Sequence, residues 1–143
     1  STSSYPEQMG EGWSDFFALM LTARATDTPE QPRAYGAWFY DDPDGIRPAP
    51  YSTSFAVNNF TYQRSRTAVA PHGVGHVWAT ILWEVAQEMI AAHGFSPDLY
   101  DASGTAGNQI MLRLVVEGLK LQPCGPGFVD GRDAILAADA ILY

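Results

Sequence analysis

Hydrophobic positions along the chain fall into helical stretches separated by one long aperiodic segment. From Met9 onward, Trp13, Phe16, Phe17, Met20 and Leu21 recur at the three-and-four spacing of an apolar helix face. Ala18, Leu19 and Ala23 are strong helix formers that fill the intervals, and Pro29 marks the expected stop. A second helix is predicted from about His72, just after Pro71, to His93, stopped by Gly94. Within it Val77, Ile81, Val85 and Met89 repeat every four residues, with Val74, Trp78, Leu82 and Ile90 alongside. So wide an apolar surface places this helix at the centre of the fold. A Gly-rich loop, Ser103 to Gly107, leads into a third helix over roughly Asn108–Leu121. After a break at Pro123 to Gly127, a fourth runs from about Val129 to the C-terminus.

The remainder is irregular. Ser1 to Gln8 form a small, polar lead-in. Asp27 to Ala70 carry Pro29, Pro32, Pro43, Pro48 and Pro50, with a turn signal at Asp41-Asp42-Pro43-Asp44-Gly45. Short strands are predicted at Tyr35–Tyr40 and near Tyr51–Val57. A segment this long without periodicity reads as a functional loop region rather than a linker. The expected architecture is therefore mainly α, a single domain over residues 1–143 with one long loop-rich insertion. Gly10 and Gly12 flank Glu11 inside the first helix, where each costs about 1 kcal/mol relative to Ala. They point to close approach of another backbone or a site that needs room.

Composition narrows the function. With 16 Asp and Glu against 8 Lys and Arg, the net charge is −8, and Lys120 is the single lysine. Phosphate backbones and anionic lipid repel such a chain, which argues against nucleic-acid and membrane partners. No apolar run approaches the ~18 residues of a membrane span. At 46% hydrophobic and 13% aromatic the chain is far from disordered composition. Cys124 is the sole cysteine, so neither an internal disulfide nor a thiolate zinc site can form. Asn59-Phe60-Thr61 fits a glycosylation sequon, a triplet common by chance.

Candidate chemistry sits at three places. Glu11 and Asp15 lie four apart, so both carboxylates share a helix face and repel unless a cation or donor lies beside them. They read either as a metal ligand with a neighbouring orienting carboxylate, or as an acidic first turn favoured by the helix dipole. His72 and His76 share the same spacing, which suits a zinc-binding helix, but Gly73 stands where a general-base glutamate would be. An independent metal site from His72, His76 and an acidic residue is one alternative. A single His at the helix N-terminus, donating to developing negative charge, is another; a packing role is the third. Arg47, pinned by Pro48 and Pro50, suits fork-like binding of a carbonyl or carboxylate, or is simply a loop arginine.

Four ordered stretches go further. They are Met9-Gly10-Glu11-Gly12-Trp13-Ser14-Asp15-Phe16; Gly45-Ile46-Arg47 to Tyr51-Ser52; His72-Gly73-Val74-Gly75 with Val77-Trp78-Ala79-Thr80; and Gly118-Leu119-Lys120-Leu121-Gln122-Pro123-Cys124 with Ala134-Ile135-Leu136. Together they resemble the fungalysin family of secreted zinc metallopeptidases, which are thermolysin-like. The resemblance implies that Glu11 is the third zinc ligand and Asp15 the carboxylate that fixes a zinc-bound histidine. It further implies that His72 stabilises the oxyanion and that Arg47 holds the substrate carbonyl. His76 falls outside the matched set and reads as structural.

The family's His-Glu-x-x-His helix lies upstream of the third-ligand stretch and has no counterpart in this sequence. The chain is therefore expected to be the C-terminal helical lobe only, cut through an active site near Ser1. Its zinc site would be incomplete, and it would be inactive without an upstream lobe that carries His-Glu-x-x-His. Substrates would be proteins or peptides, and the setting extracellular. The competing expectation is a non-catalytic helical binding or scaffold module derived from the same family.

Overall fold

Residues 7–143, as described by a computed structural model, fold in the order α1 (Gly10–Thr22), α2 (Ala37–Tyr40), a 3₁₀ helix (Tyr62–Arg66), α3 (His72–His93), α4 (Gly107–Leu121) and α5 (Phe128–Leu142). The first six residues of the polar lead-in lie outside the described part. Helix α3 begins and ends where its four-residue repeat and Gly94 predict. It packs against α1, α4 and the 3₁₀ helix, and α5 in turn packs on α4. Its N-terminal half is covered on every side: Val74 to Thr80 are all buried. Further along, Val85 is exposed and the helix turns one face to solvent.

The face that α1 buries differs in detail from the predicted one. Trp13, Phe16 and Met20 are in the core as expected, but Leu19 joins them while Leu21 is exposed. The helix stops at Thr22, well before Pro29. The Thr22 hydroxyl donates back to the Ala18 carbonyl (2.7 Å) and accepts from Arg33. Asp27, which accepts from the Arg24 amide, then closes a turn. Local side-chain acceptors of this kind compete with helix continuation.

Neither predicted strand forms. Ala37–Tyr40 is a single helical turn bounded by left-handed backbone at Gly36 and Asp41, and Trp38, Phe39 and Tyr40 are exposed. The stretch near Tyr51–Val57 contributes one isolated antiparallel bridge, Arg33 with Tyr51. The physical reason is pairing: Pro48 and Pro50 cannot donate to a ladder, and no second strand lies alongside among the described residues. The loop-rich insertion is otherwise as expected, and the fold is mainly α. No described helix is long and apolar enough to cross a membrane.

What sets α1 against α3 is a glycine pair. A Cβ on Gly75 would lie 2.7 Å from both the Glu11 Cβ and the Gly12 amide nitrogen, and one on Gly12 would run into the Gly75 carbonyl. The helices thus touch backbone to backbone one residue from Glu11 and three from His72. Gly10, by contrast, has nothing within 4 Å and takes no part in the crossing. Beside it the rings of Trp13 and Trp78 meet edge to face at 5.1 Å, and Trp78 meets Phe128 at 5.0 Å.

His76 is fully buried between the rings of Tyr51 (4.8 Å) and Phe60 (4.7 Å), a packing position as expected. Neither ring nitrogen has a partner among the described residues. Burial pushes its pKa down to about 4, because the charged ring would lose its hydration.

Two predictions follow from this packing. Gly75→Ala should cost at least ~2 kcal/mol in denaturant unfolding, because backbone cannot yield to the new methyl. Gly10→Ala should be neutral or gain up to ~1 kcal/mol. Equal effects of the two would show that the crossing is not the constraint. Between pH 6.5 and 4 the unfolded chain binds a proton at His76 that the folded chain refuses, so stability falls as pH drops through that window. The loss from pH 7 to 5 should be about 2 kcal/mol for this group. In His76→Phe the urea midpoint should depend less on pH by that amount.

Candidate functional site

Asp15 sits in the buried stripe of α1 and is fully inaccessible, while Glu11, one turn earlier, is about one-third exposed at the mouth of the same face. His72 opens α3 across the glycine crossing. Arg47 arrives from the insertion, and the preceding turn aims it. Gly45 adopts φ 74°, and a Cβ there would strike the Tyr35 backbone. Its neighbour Ile46 donates to the Tyr35 carbonyl at 2.9 Å. On the far side, Arg33 and Tyr51 exchange backbone hydrogen bonds of 2.8 and 2.9 Å. The segment carrying Arg47 is thus tied at both ends.

The four residues singled out from the sequence converge on the Arg47 guanidinium. Its Nε donates to Asp15 Oδ2 at 2.6 Å and its Nη2 to Asp15 Oδ1 at 2.7 Å, a bidentate fork on a buried carboxylate. Nη2 also donates to Glu11 Oε2 at 3.1 Å. Nη1 lies 3.2 Å from His72 Nδ1, which is itself 3.1 Å from Glu11 Oε2. The Tyr51 hydroxyl donates to Asp15 Oδ2, and the guanidinium lies 4.9 Å from the Tyr35 ring centre.

Electrostatics follow from this arrangement. The Asp15 hydrogen bonds raise the Arg47 pKa above its ordinary value, against the opposing effect of burial. Burial, and then the Asp15 charge, push the Tyr51 phenol well up, which keeps it a donor. At Glu11 partial burial would raise the pKa, but hydrogen bonds and charge from Arg47 and His72 outweigh it and the net shift is downward. Beside these groups lies an open cavity of about 860 Å³ whose walls include Leu19, Tyr35, Trp38, Phe39 and Ile46 together with Glu11, Arg47 and His72.

His72 and His76 do not share a ligand. The His72 side chain is 64% exposed, whereas His76 is sealed in the core. That corrects the alternative of an independent site built from both. Among the described residues no group of three His, Cys, Asp or Glu is placed to hold a metal ion. Glu11 can offer one carboxylate oxygen at the cavity mouth, and a tetrahedral site would need its other ligands from elsewhere. Cys124 is a free, exposed thiol and lines no wall of this cavity. Sequence reasoning missed Tyr35 and Tyr51. The residue types near Arg47 gave a hint, because a buried arginine fork needs aromatic or acidic surroundings, but only the folded loop shows which tyrosines supply them.

Comparison with known proteins identifies similar sequences. The family model of the fungalysin metallopeptidases matches residues 2–143. An extracellular metalloproteinase MEP of Pyricularia oryzae is 45% identical over 139 residues, and a metalloproteinase mep of Aspergillus terreus is 43% identical over 138. An extracellular metalloproteinase 10 of Coccidioides posadasii is 41% identical over 138. Each alignment covers 94% of this chain but only 22% of the relative.

Removing the cation from the buried Asp15 carboxylate should be costly. Arg47→Met is expected to lower unfolding free energy by about 3–5 kcal/mol, the range for breaking a buried pair at one partner. The additional replacement Asp15→Leu should restore part of it. A single variant as stable as the parent in urea unfolding would show that the pair is not structural.

Proposed function

Since the chain belongs to the fungalysin metallopeptidase family, we propose that it is the C-terminal helical lobe, one folding unit, of an extracellular zinc metalloendopeptidase. It spans about a fifth of its relatives' length. On this reading it supplies one metal ligand and the groups that hold the reacting carbonyl. The observation that carries it is the convergence of Glu11, Arg47 and His72 in the lining of an open cavity of about 860 Å³. The partner it requires is a lobe bearing His-Glu-x-x-His, and in its absence the chain is inactive.

When bound, zinc polarises a carbonyl and makes water a competent nucleophile near neutral pH. Glu11 would be its ligand from this lobe. The chain's own residues do the rest by placement. Asp15 fixes the Arg47 plane; for it to orient a histidine brought by the other lobe, as the family resemblance implies, that ring would have to reach a carboxylate that is fully buried in this lobe. An arginine has five N–H donors. Among the described residues two of them donate to Asp15 and one to Glu11, and Nη1 lies beside His72, so an N–H on Nη1 is left to hold a substrate carbonyl. In the tautomer whose Nδ1 accepts from Arg47 rather than donating to Glu11, His72 carries its proton on Nε2, a donor for the oxygen on which negative charge grows. The aromatic wall at Tyr35 and Trp38 takes apolar substrate side chains.

The test joins this chain to a His-Glu-x-x-His lobe and measures zinc content and peptide hydrolysis. Glu11→Gln should lose zinc affinity and activity together. His72→Phe should keep zinc and lose turnover by about 10²–10³, as other oxyanion donors do. Unchanged zinc affinity in the first, or an unchanged rate in the second, would remove the corresponding role. The 143-residue chain alone should take up no stoichiometric zinc.

A further inference from the structure

The Asp15 carboxylate has a third donor that the proposed chemistry leaves without a task. Tyr51 is fully buried, and its hydroxyl shares Asp15 Oδ2 with Arg47 Nε. Its freedom is small. The backbone is clamped to Arg33 in both directions, and the ring lies against His76 at 4.8 Å. Arg47 stands four residues earlier in the same loop, and between them Pro48 and Pro50 contribute no amide donors. The guanidinium is therefore held mainly through its side-chain fork, and the fork is only as fixed as the carboxylate it grips. A carboxylate turns readily about its last torsion unless its oxygens are pinned.

We propose that Tyr51 is a positioning residue for Arg47: its hydroxyl pins Asp15 Oδ2 from within the core, and the pinned carboxylate sets the plane of the guanidinium that faces the cavity. The link runs from a rigid core ring, through a buried carboxylate, to a cation at the site. It extends the functional reading of Arg47 given above and rests on it for the catalytic part, but not for the positioning part. His76 and Phe60 act behind it as packing: they hold the Tyr51 ring, while the hydroxyl does the positioning.

The positioning claim is tested on the 143-residue chain by NMR, following exchange of the Arg47 Nε–H with solvent. Tyr51→Phe removes one oxygen and should speed that exchange about tenfold while backbone amides of α1 and α3 keep their protection. His76→Phe changes the ring behind Tyr51 and should leave Arg47 exchange unchanged. If Tyr51→Phe leaves the Nε–H as protected as before, or if His76→Phe loosens it equally, the hydroxyl is not the positioning group and the proposal fails. In the joined two-lobe protein, Tyr51→Phe should lower kcat about tenfold with little change in KM, and should add nothing further to Arg47→Lys, because the two act as a unit. Additive losses would overturn the proposal. An Arg47→Lys protein with full turnover would instead overturn the functional role of Arg47, while the exchange measurement still decides whether Tyr51 positions it.

Discussion

A carboxylate with no access to water must be compensated, and Asp15 is compensated by a single arginine fork and a tyrosine hydroxyl. Much of the site's architecture is a consequence. The charge on α1 fixes where Arg47 of the loop must lie, while Tyr51 and Phe60 of the same loop pack into the core and the turn at Trp38–Tyr40 stays exposed. With Arg47 locked onto Asp15, the remaining edge of the guanidinium reaches Glu11 and His72. Buried ion pairs are weak sources of net stability, because desolvation offsets most of the attraction. What this one provides is registry: it couples helix, loop and cavity in one arrangement.

The glycine crossing supplies the complementary constraint. Side chains at Gly12 and Gly75 would hold the helices apart, and the distance from Glu11 to His72, now 3.1 Å, would grow with them. Close backbone approach leaves little room for adjustment, so the acidic end of α1 and the imidazole at the start of α3 are set by main-chain contact rather than by flexible side chains. A like-charge pair at helical spacing, Glu11 with Asp15, is tolerable in this setting because one cation lies between them. The same cation lowers the Glu11 pKa, which keeps an ionised oxygen at the cavity mouth.

Legibility varied with the physical range of the interactions. The helices could be read because their apolar positions repeat at 3.6 residues and their ends carry glycine and proline punctuation; α3 and α4 lie within a residue of expectation. Glu11, Asp15, Arg47 and His72 stood out through residue type, spacing and family resemblance. The insertion could not be read. Aromatic runs at Tyr35–Tyr40 look like strand, yet with prolines nearby and no pairing partner they form one helical turn. Tyr51 looked like the start of a second strand and is instead a donor to a carboxylate 36 residues away.

Taken alone, the sequence determined the helical class, the acidic surface, the chemistry of the candidate residues and the likeness to the fungalysins, because local periodicity and short motifs carry that information. Tertiary structure decided which of those residues meet. Two histidines at the same helical spacing went to opposite environments, His72 to solvent and His76 to the core, because one begins α3 at an open cavity and the other lies under the loop. No periodicity distinguishes them; only the backbone crossing at Gly75 and the loop drawn over by Asp15 do.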